Sequence, residues 1–355
     1  MKLRLSLLFS VPPRLRLCLR TSLAVAFGVG GCLLASGQPH DKLRALSPPN
    51  GEAPARKPGE YTHGPDSLPQ EGVPKGKLEG PFEWNSKIIG GTVRRYWVWI
   101  PAQYTGEKPA GLLVFQDGQR ATNPAANASL RVPQVMENLI HKKEMPVMIG
   151  LFITPGNLSD RYPDNLALSN PNNRANEYDA LSDAYARMLI DELIPELKKT
   201  YQISDDVEQR VIGGTSSGAI CAWTVAWERP DQFRKVISMI GSYTSIGWRP
   251  ARGNQPMIPG GDLYPTLIRR NPPKPIRIFL QDGSGDLDNP FGNWFLANQQ
   301  MLTALQFANA SADRQKLEGL RYDVTHGWGD GGHSDQHGGV LLPDILRWMF
   351  RDAPR

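Results

Sequence analysis

The chain has 355 residues, of which 40 are Lys or Arg, 35 are Asp or Glu, and 40% are hydrophobic. That is ample apolar material for one large domain or two small ones, and it excludes a disordered, collagen-like or coiled-coil chain. The formal charge of +5 is accounted for by Lys2, Arg4, Arg14, Arg16 and Arg20 at the very start, so the remainder is balanced and lacks the basic excess of a nucleic-acid binder.

Those five charges precede an apolar run over residues 23–34 and then the small residues Ala35, Ser36 and Gly37. A basic region, a short apolar region and a small-residue exit, in that order, predict a signal peptide over residues 1–37 and an exported (periplasmic or extracellular) protein. The run, at about 12 residues, falls short of the roughly 20 that cross a bilayer, and no later segment is long and apolar enough to be transmembrane. A membrane anchor or a buried helix is the other reading of this run. Val29-Gly30-Gly31-Cys32 resembles a lipobox, which makes lipidation of Cys32 an alternative to cleavage after Gly37. Cys18 and Cys32 belong to the leader, which leaves Cys221 alone in an apolar helical stretch, a small packing residue rather than a reactive thiol. Residues 38–80 contain eight prolines with little apolar periodicity and read as a Pro/Gly-rich linker followed by an edge segment. The folded domain is expected over residues 81–355.

Within that domain strands and helices alternate. Residues 96–100, 112–115, 147–153, 210–213, 235–240, 276–280 and 321–325 read as strands, several of them continuous apolar runs that suit burial on both faces. Helical spacing appears over residues 132–143, 177–199, 217–228, 294–307 and 340–350, with Pro195 expected to kink the second of these. The order implies an α/β fold with a mostly parallel central sheet and helices on both faces, whose ligands sit at the carboxyl ends of the strands.

Gly214-Thr215-Ser216-Ser217-Gly218 matches G-x-S-x-G between a strand and a helix. Such a turn lifts its central side chain above the sheet, and small residues on either side permit the tight approach. Ser216 is therefore the candidate nucleophile, with Ser217 the lesser alternative, and the Ser217 N–H at the helix start is a candidate oxyanion donor. A serine hydroxyl needs a base, and in folds with this elbow the order is Ser, acid, His, each after a strand. Asp282, Asp286 and Asp288 compete as the acid; Asp286, at the crest of its loop, is preferred and Asp288 comes next. His333 follows a Gly-Gly pair before the closing helix and is the expected base, with His337 nearer that helix. A metal site built from His333, His337, Asp330 and Asp335 is the competing reading; the glycines argue against helical i, i+4 ligation, so no metal or other cofactor is expected. The backbone N–H of Gln119 is the expected second oxyanion donor, with Gly118 beside it, because Asp117-Gly118-Gln119 follows an early strand. Trp248, Trp294 and Trp328 lie on or beside the same loops and form a possible wall for an aromatic acyl group or a sugar ring, with packing as the equal alternative.

Leu113-Val114-Phe115-Gln116-Asp117-Gly118-Gln119, Arg174-Ala175-Asn176-Glu177-Tyr178-Asp179, the elbow at residues 214–218 and Gly331-Gly332-His333 together resemble the enterochelin-esterase-like branch of the esterase D superfamily. The resemblance implies the α/β-hydrolase fold and a serine carboxylic-ester hydrolase using Ser216, His333 and Asp286, the last matching a G-x-x-D pattern at Gly283-Ser284-Gly285-Asp286. The implied substrate is a small-molecule or polysaccharide ester: acylated polysaccharide, aromatic or siderophore-type. An acyltransferase to a sugar hydroxyl and a non-catalytic ligand-binding homologue are the alternatives. Oligomeric state is not legible.

Overall fold

The strongest β-formers of the chain line up in one sheet. In the computed structural model, which describes residues 61–353 apart from Gln255, β1 (Lys77–Asn85) and β2 (Thr92–Ile100) form an antiparallel pair. Next come β3 (Gly111–Gln116), the single turn α1 (Gly118–Ala121), α2 (Val132–His141), β4 (Met148–Ile153) and a two-residue strand β5 (Asn157–Leu158) against β2. Three short helices follow, α3 (Arg174–Tyr178), α4 (Ala184–Arg187) and α5 (Ile194–Leu197), the last two joined by a π-helical segment, Met188–Leu193. The central crossovers are β6 (Arg210–Thr215), α6 (Ser217–Glu228), β7 (Lys235–Met239), α7 (Tyr264–Arg270) and β8 (Arg277–Gly285). A small pair, β9 (Asp288–Asn289) and β10 (Gly292–Asn293), then α8 (Trp294–Arg314), β11 (Asp323–Gly332) and α9 (Asp335–Met349) complete the chain.

The sheet order is β1-β2-β4-β3-β6-β7-β8-β11. The six strands from β4 to β11 are parallel; beyond β4, β2 runs antiparallel to both its neighbours, β4 and the edge strand β1. Alternation within β3 shows why its run is wholly apolar: Leu112 and Val114 belong to the core under α6, while Leu113 and Phe115 belong to the core under α2 and α9. Trp223 of α6 is fully buried on the first of these faces, edge-on to Tyr264 at 5.9 Å.

Several local expectations change. The helix expected over residues 177–199 is broken after Tyr178, because Asp179 is buried and its side chain is tied to Ser217, while Gly247 packs onto its carbonyl. The chain restarts at Ala184 and widens into the π segment just before Pro195, whose missing N–H cannot serve the carbonyl one turn back. Both β8 and β11 run past their expected ends, α7 is additional, and the closing helix begins at Asp335, taking in His337, Gly338 and Gly339. The described part of the expected linker lies on the domain: Asn138 of α2 donates to the carbonyls of Asp66 and Leu68, and the Tyr61 hydroxyl donates to Asp330. The leader, Cys18 and Cys32 lie outside the described residues. Among the described residues no helix is long and apolar enough to cross a membrane.

Candidate active site

Ser216 stands between β6 and α6 with φ 57° and ψ −123°, a conformation that costs an L-residue about 1–3 kcal/mol. The neighbours make it possible. A Cβ on Gly214 would sit 2.5 Å from the Gly218 carbonyl carbon, and one on Gly218 would sit 3.0 Å from the Gln116 side chain. The Ser216 N–H donates to the Met239 carbonyl at 2.9 Å, which fastens the turn to the end of β7.

Asp286 and His333 meet for a related reason. The sequences after Leu280 and Thr325 look like turns, yet they pair as parallel strands, with Gly329 opposite Gly283 and Gly332 opposite Gly285. A Cβ on Gly283 would lie 2.2 Å from the Gly331 carbonyl oxygen, so only glycine allows the approach. One residue beyond the last register pair, Asp286 and His333 stand side by side. His333 Nδ1 lies 2.6 Å from Asp286 Oδ1, and His333 Nε2 lies 2.9 Å from Ser216 Oγ. Against a carboxylate, Nδ1 carries the proton, which leaves Nε2 free to accept from Ser216.

Two residues not singled out by the sequence join this chain. Ser242, fully buried just past β7, has its Oγ 3.1 Å from Ser216 Oγ, and the Trp294 indole Nε1 donates to that same Ser242 oxygen at 3.1 Å. Asn298 of α8 donates to Asp282 Oδ2 at 2.6 Å. Their only signal in sequence was position: both flank the carboxyl ends of parallel strands.

The carboxylates are tuned unequally. Burial works to raise Asp286, but hydrogen bonds from His333, Asp282 and the Leu287 N–H overcome it and hold Asp286 below the usual carboxylate range. Asp282 is pushed up to about 9 by burial and by the neighbouring Asp286. Asp179 is raised by burial, against the opposing hydrogen bond to Ser217. Ser217 is only 3% exposed and its hydroxyl is engaged with Asp179, so Ser216 and not Ser217 presents the hydroxyl that reaches His333.

Asp117 begins α1 in the left-handed region, φ 53°, with its carboxylate buried and held by the Arg174 guanidinium through Nε at 2.9 Å and Nη2 at 2.7 Å. Arg174 belongs to α3, whose Glu177 pairs at 2.8 Å with the fully buried Arg94. Gly118 fits only as glycine, since a Cβ there would meet the Ile153 amide nitrogen at 2.5 Å. The Gln119 N–H belongs to the first turn of α1 and the Ser217 N–H to the first turn of α6, where amides lack partners one turn back. The two turns adjoin, because a Cβ on Gly218 would come within 3.2 Å of Asp117 Oδ2.

The tryptophans separate. Trp294 is 1% exposed and stands edge-on to His333, ring centroids 5.7 Å apart, so it backs the imidazole rather than offering a face to a ligand. Trp328 packs on Phe295 and His326. Trp248 is 46% exposed, on the loop whose Ser245 bonds the Phe291 carbonyl. His337 lies under the Tyr61 ring with Nδ1 2.9 Å from Gln281 Nε2. Asp288 is exposed in β9, and Cys221 is buried, which raises its thiol. Among the described residues no group of three or more His, Cys, Asp or Glu is placed to hold a metal ion.

Residues 86–348 match the family model described as "Putative esterase". Over 172 residues, 48% of this chain, the sequence is 26% identical to the iron(III) enterobactin esterase of Escherichia coli K12; the match spans 37% of that relative, little more than a third of its length. Among solved structures, the enterobactin esterase of Shigella flexneri in the presence of enterobactin superposes with a TM-score of 0.57 at 21% identity, covering 80% of this chain and 61% of that one. A CE1 ferulic acid esterase from Anaeromyces mucronatus in complex with ferulic acid superposes with a TM-score of 0.55 at 16% identity, covering 81% and 96%. These superpositions establish the α/β-hydrolase fold, and with a family model spanning residues 86–348 the chain belongs to the esterase family.

Proposed function

We propose that the chain is a serine carboxylic-ester hydrolase in which Ser216, His333 and Asp286 form the catalytic triad. The observation that carries this reading is the unbroken hydrogen-bond path from Ser216 Oγ through both ring nitrogens of His333 to Asp286 Oδ1, at 2.9 and 2.6 Å. His333 removes the Ser216 proton as the oxygen attacks the ester carbonyl, and the N–H groups of Ser217 and Gln119 receive the developing oxyanion. The carbonyl–alkoxy bond then breaks, the alcohol departs with the proton from His333, and an acyl-enzyme remains on Ser216. Water activated by His333 repeats the cycle and releases the acid. Throughout, Asp286 holds the imidazole in its reactive tautomer and balances its charge.

The relatives and the exposed aromatic residues support one substrate class. Of the structures named above, the Shigella flexneri esterase was determined in the presence of enterobactin and the Anaeromyces mucronatus esterase in complex with ferulic acid. Here Trp248 and Phe291 are 46% and 47% exposed on adjoining loops, which follow Ser242 and Asp286 respectively. An ester with an aromatic or similarly apolar acyl group, free or on a polysaccharide, is the substrate this supports. Residues 1–37 are read as an export signal, on their order of basic, apolar and small residues alone.

The test is hydrolysis of a simple aryl ester by the wild type and by Ser216→Ala. The variant should lose turnover while its circular dichroism is unchanged; retained activity rejects the mechanism. A panel of feruloyl, acetyl-xylan and siderophore trilactone esters then ranks the acyl groups.

A further inference from the structure

Asp282 has no role in the mechanism above, yet it is fully buried beside it. Its Oδ2 accepts from Asn298 Nδ2 at 2.6 Å and its Oδ1 from the Gly283 N–H at 2.7 Å, and its carboxyl is in hydrogen-bonding contact with that of Asp286. Asp286 engages Oδ1 with His333 Nδ1 at 2.6 Å and with the Leu287 N–H at 2.5 Å. Its Oδ2 is buried and meets no N–H donor among the described residues. Two carboxyls in contact, with the His333 imidazole on the Asp286 side and no other ionisable group between them, favour one shared proton.

Among the described residues the surroundings named here supply no other charge. On the same strand end stands Asp286, and from the turn between β11 and α9 comes His333. From α8 come Asn298 and Trp294, both uncharged, and the end of β7 contributes the Gly241 carbonyl and the Ser242 hydroxyl. From β11 the residue opposite Asp282 is Trp328, while His337 of α9 engages the neighbouring Gln281.

We propose that Asp282 is a positioning residue held as a neutral carboxylic acid, whose O–H donates to Asp286 Oδ2 and thereby fixes the carboxylate that orients His333. The proposal rests on the triad reading above. Its proton stays within the pair; no bond to substrate is involved. Because burial and Asp286 push its pKa up to about 9, the acid form persists at neutral pH. At higher pH two facing anions repel, Asp286 loses its fixed orientation, and turnover falls along an alkaline limb.

The experiment compares pH profiles of kcat and kcat/KM for aryl-ester hydrolysis by wild type, Asp282→Asn and Asp282→Leu. It is paired with infrared spectra of the Ser216→Ala protein with and without Asp282→Asn. The Asn variant keeps a donor, so its acid limb should stay within about 0.3 pH unit of wild type while the alkaline limb near the wild-type position disappears. The Leu variant frees Asp286 to stabilise the imidazolium more strongly, so its acid limb should move up by roughly half to one unit, with lower kcat. The infrared spectrum at pH 7 should contain a protonated-carboxyl band that fades on alkalinisation and is absent after Asp282→Asn. An acid limb moved down by about one unit in Asp282→Asn means that an anion has been removed, and overturns the proposal. So does the absence of the infrared band at pH 7, a result that needs no folded Asn variant. If instead Ser216→Ala hydrolyses the ester as well as wild type, the triad reading has failed, and the band still decides where the proton lies.

Discussion

Removing the Ser242 hydroxyl isolates how the nucleophile's own proton is aimed. Because the Trp294 indole N–H donates into Ser242 Oγ at 3.1 Å, the Ser242 proton is directed to Ser216 Oγ, also 3.1 Å away. Ser216 then has one remaining direction for its proton, towards His333 Nε2. In Ser242→Ala the nucleophile loses a neutral hydrogen bond with a net value of about 0.5–1.5 kcal/mol, which corresponds to a roughly two- to tenfold fall in kcat. The buried indole N–H is left without its acceptor, and stability should fall by about 1–3 kcal/mol. Trp294→Phe removes the other end of the same path. Steady-state hydrolysis of an aryl ester and urea denaturation of both single variants and the double variant form a cycle. Residues acting through one path are not additive, so the double variant should lose little more kcat than the more impaired single variant. An unchanged kcat in Ser242→Ala, or single effects that simply multiply, would refute this reasoning.

Three further outcomes are expected. Arg174→Ala strands the Asp117 carboxylate, which is 1% exposed, and should cost about 3–5 kcal/mol of stability in urea titration, with a disproportionate loss of kcat because the Gln119 N–H shares that turn. Gly214→Ala drives a methyl group to 2.5 Å from the Gly218 backbone and should destabilise by about 1–3 kcal/mol or more, with activity lost together with the midpoint of thermal unfolding. The raised Asp282 binds a proton in the folded protein that the unfolded chain has released above a pKa near 3.8, so stability from this group falls as pH rises from about 4 towards about 9. Asp282→Asn lacks that slope, and its stability relative to wild type should rise across the same window in denaturant titrations at several pH values.

Ser216, Asp286 and His333 could be singled out in sequence because each stands at a strand end with an unusual neighbourhood of glycines. The parallel sheet was equally legible, since apolar runs such as residues 147–153 admit few other roles. What local sequence does not encode here is long-range. The glycine-rich segments after Leu280 and Thr325 resemble turns until each is seen to need the other as a pairing partner, and nothing local reports that Gly283 lies on Gly331. The break after Tyr178 is imposed by Ser217 and Gly247, which are remote in the chain. Ser242 and Asn298 are single residues of common type, and Asp282 looked like any strand-terminal aspartate. Trp294 and Trp328 were indistinguishable by spacing, and only packing separates the one behind His333 from the one beside Phe295.

His333 hangs from β11, which among the described residues is the outermost strand of the sheet and pairs with β8 on one side. What steadies its outer end comes from elsewhere in the chain: the Tyr61 hydroxyl on Asp330, and the Tyr61 ring over His337. A border strand opens at lower free energy than the middle of a sheet. Loss of hydrolysis on gentle denaturation should therefore precede loss of helical signal, with the β11 amides exchanging their hydrogens ahead of those in β3 and β6, so that the enzyme falls silent while most of its framework still stands.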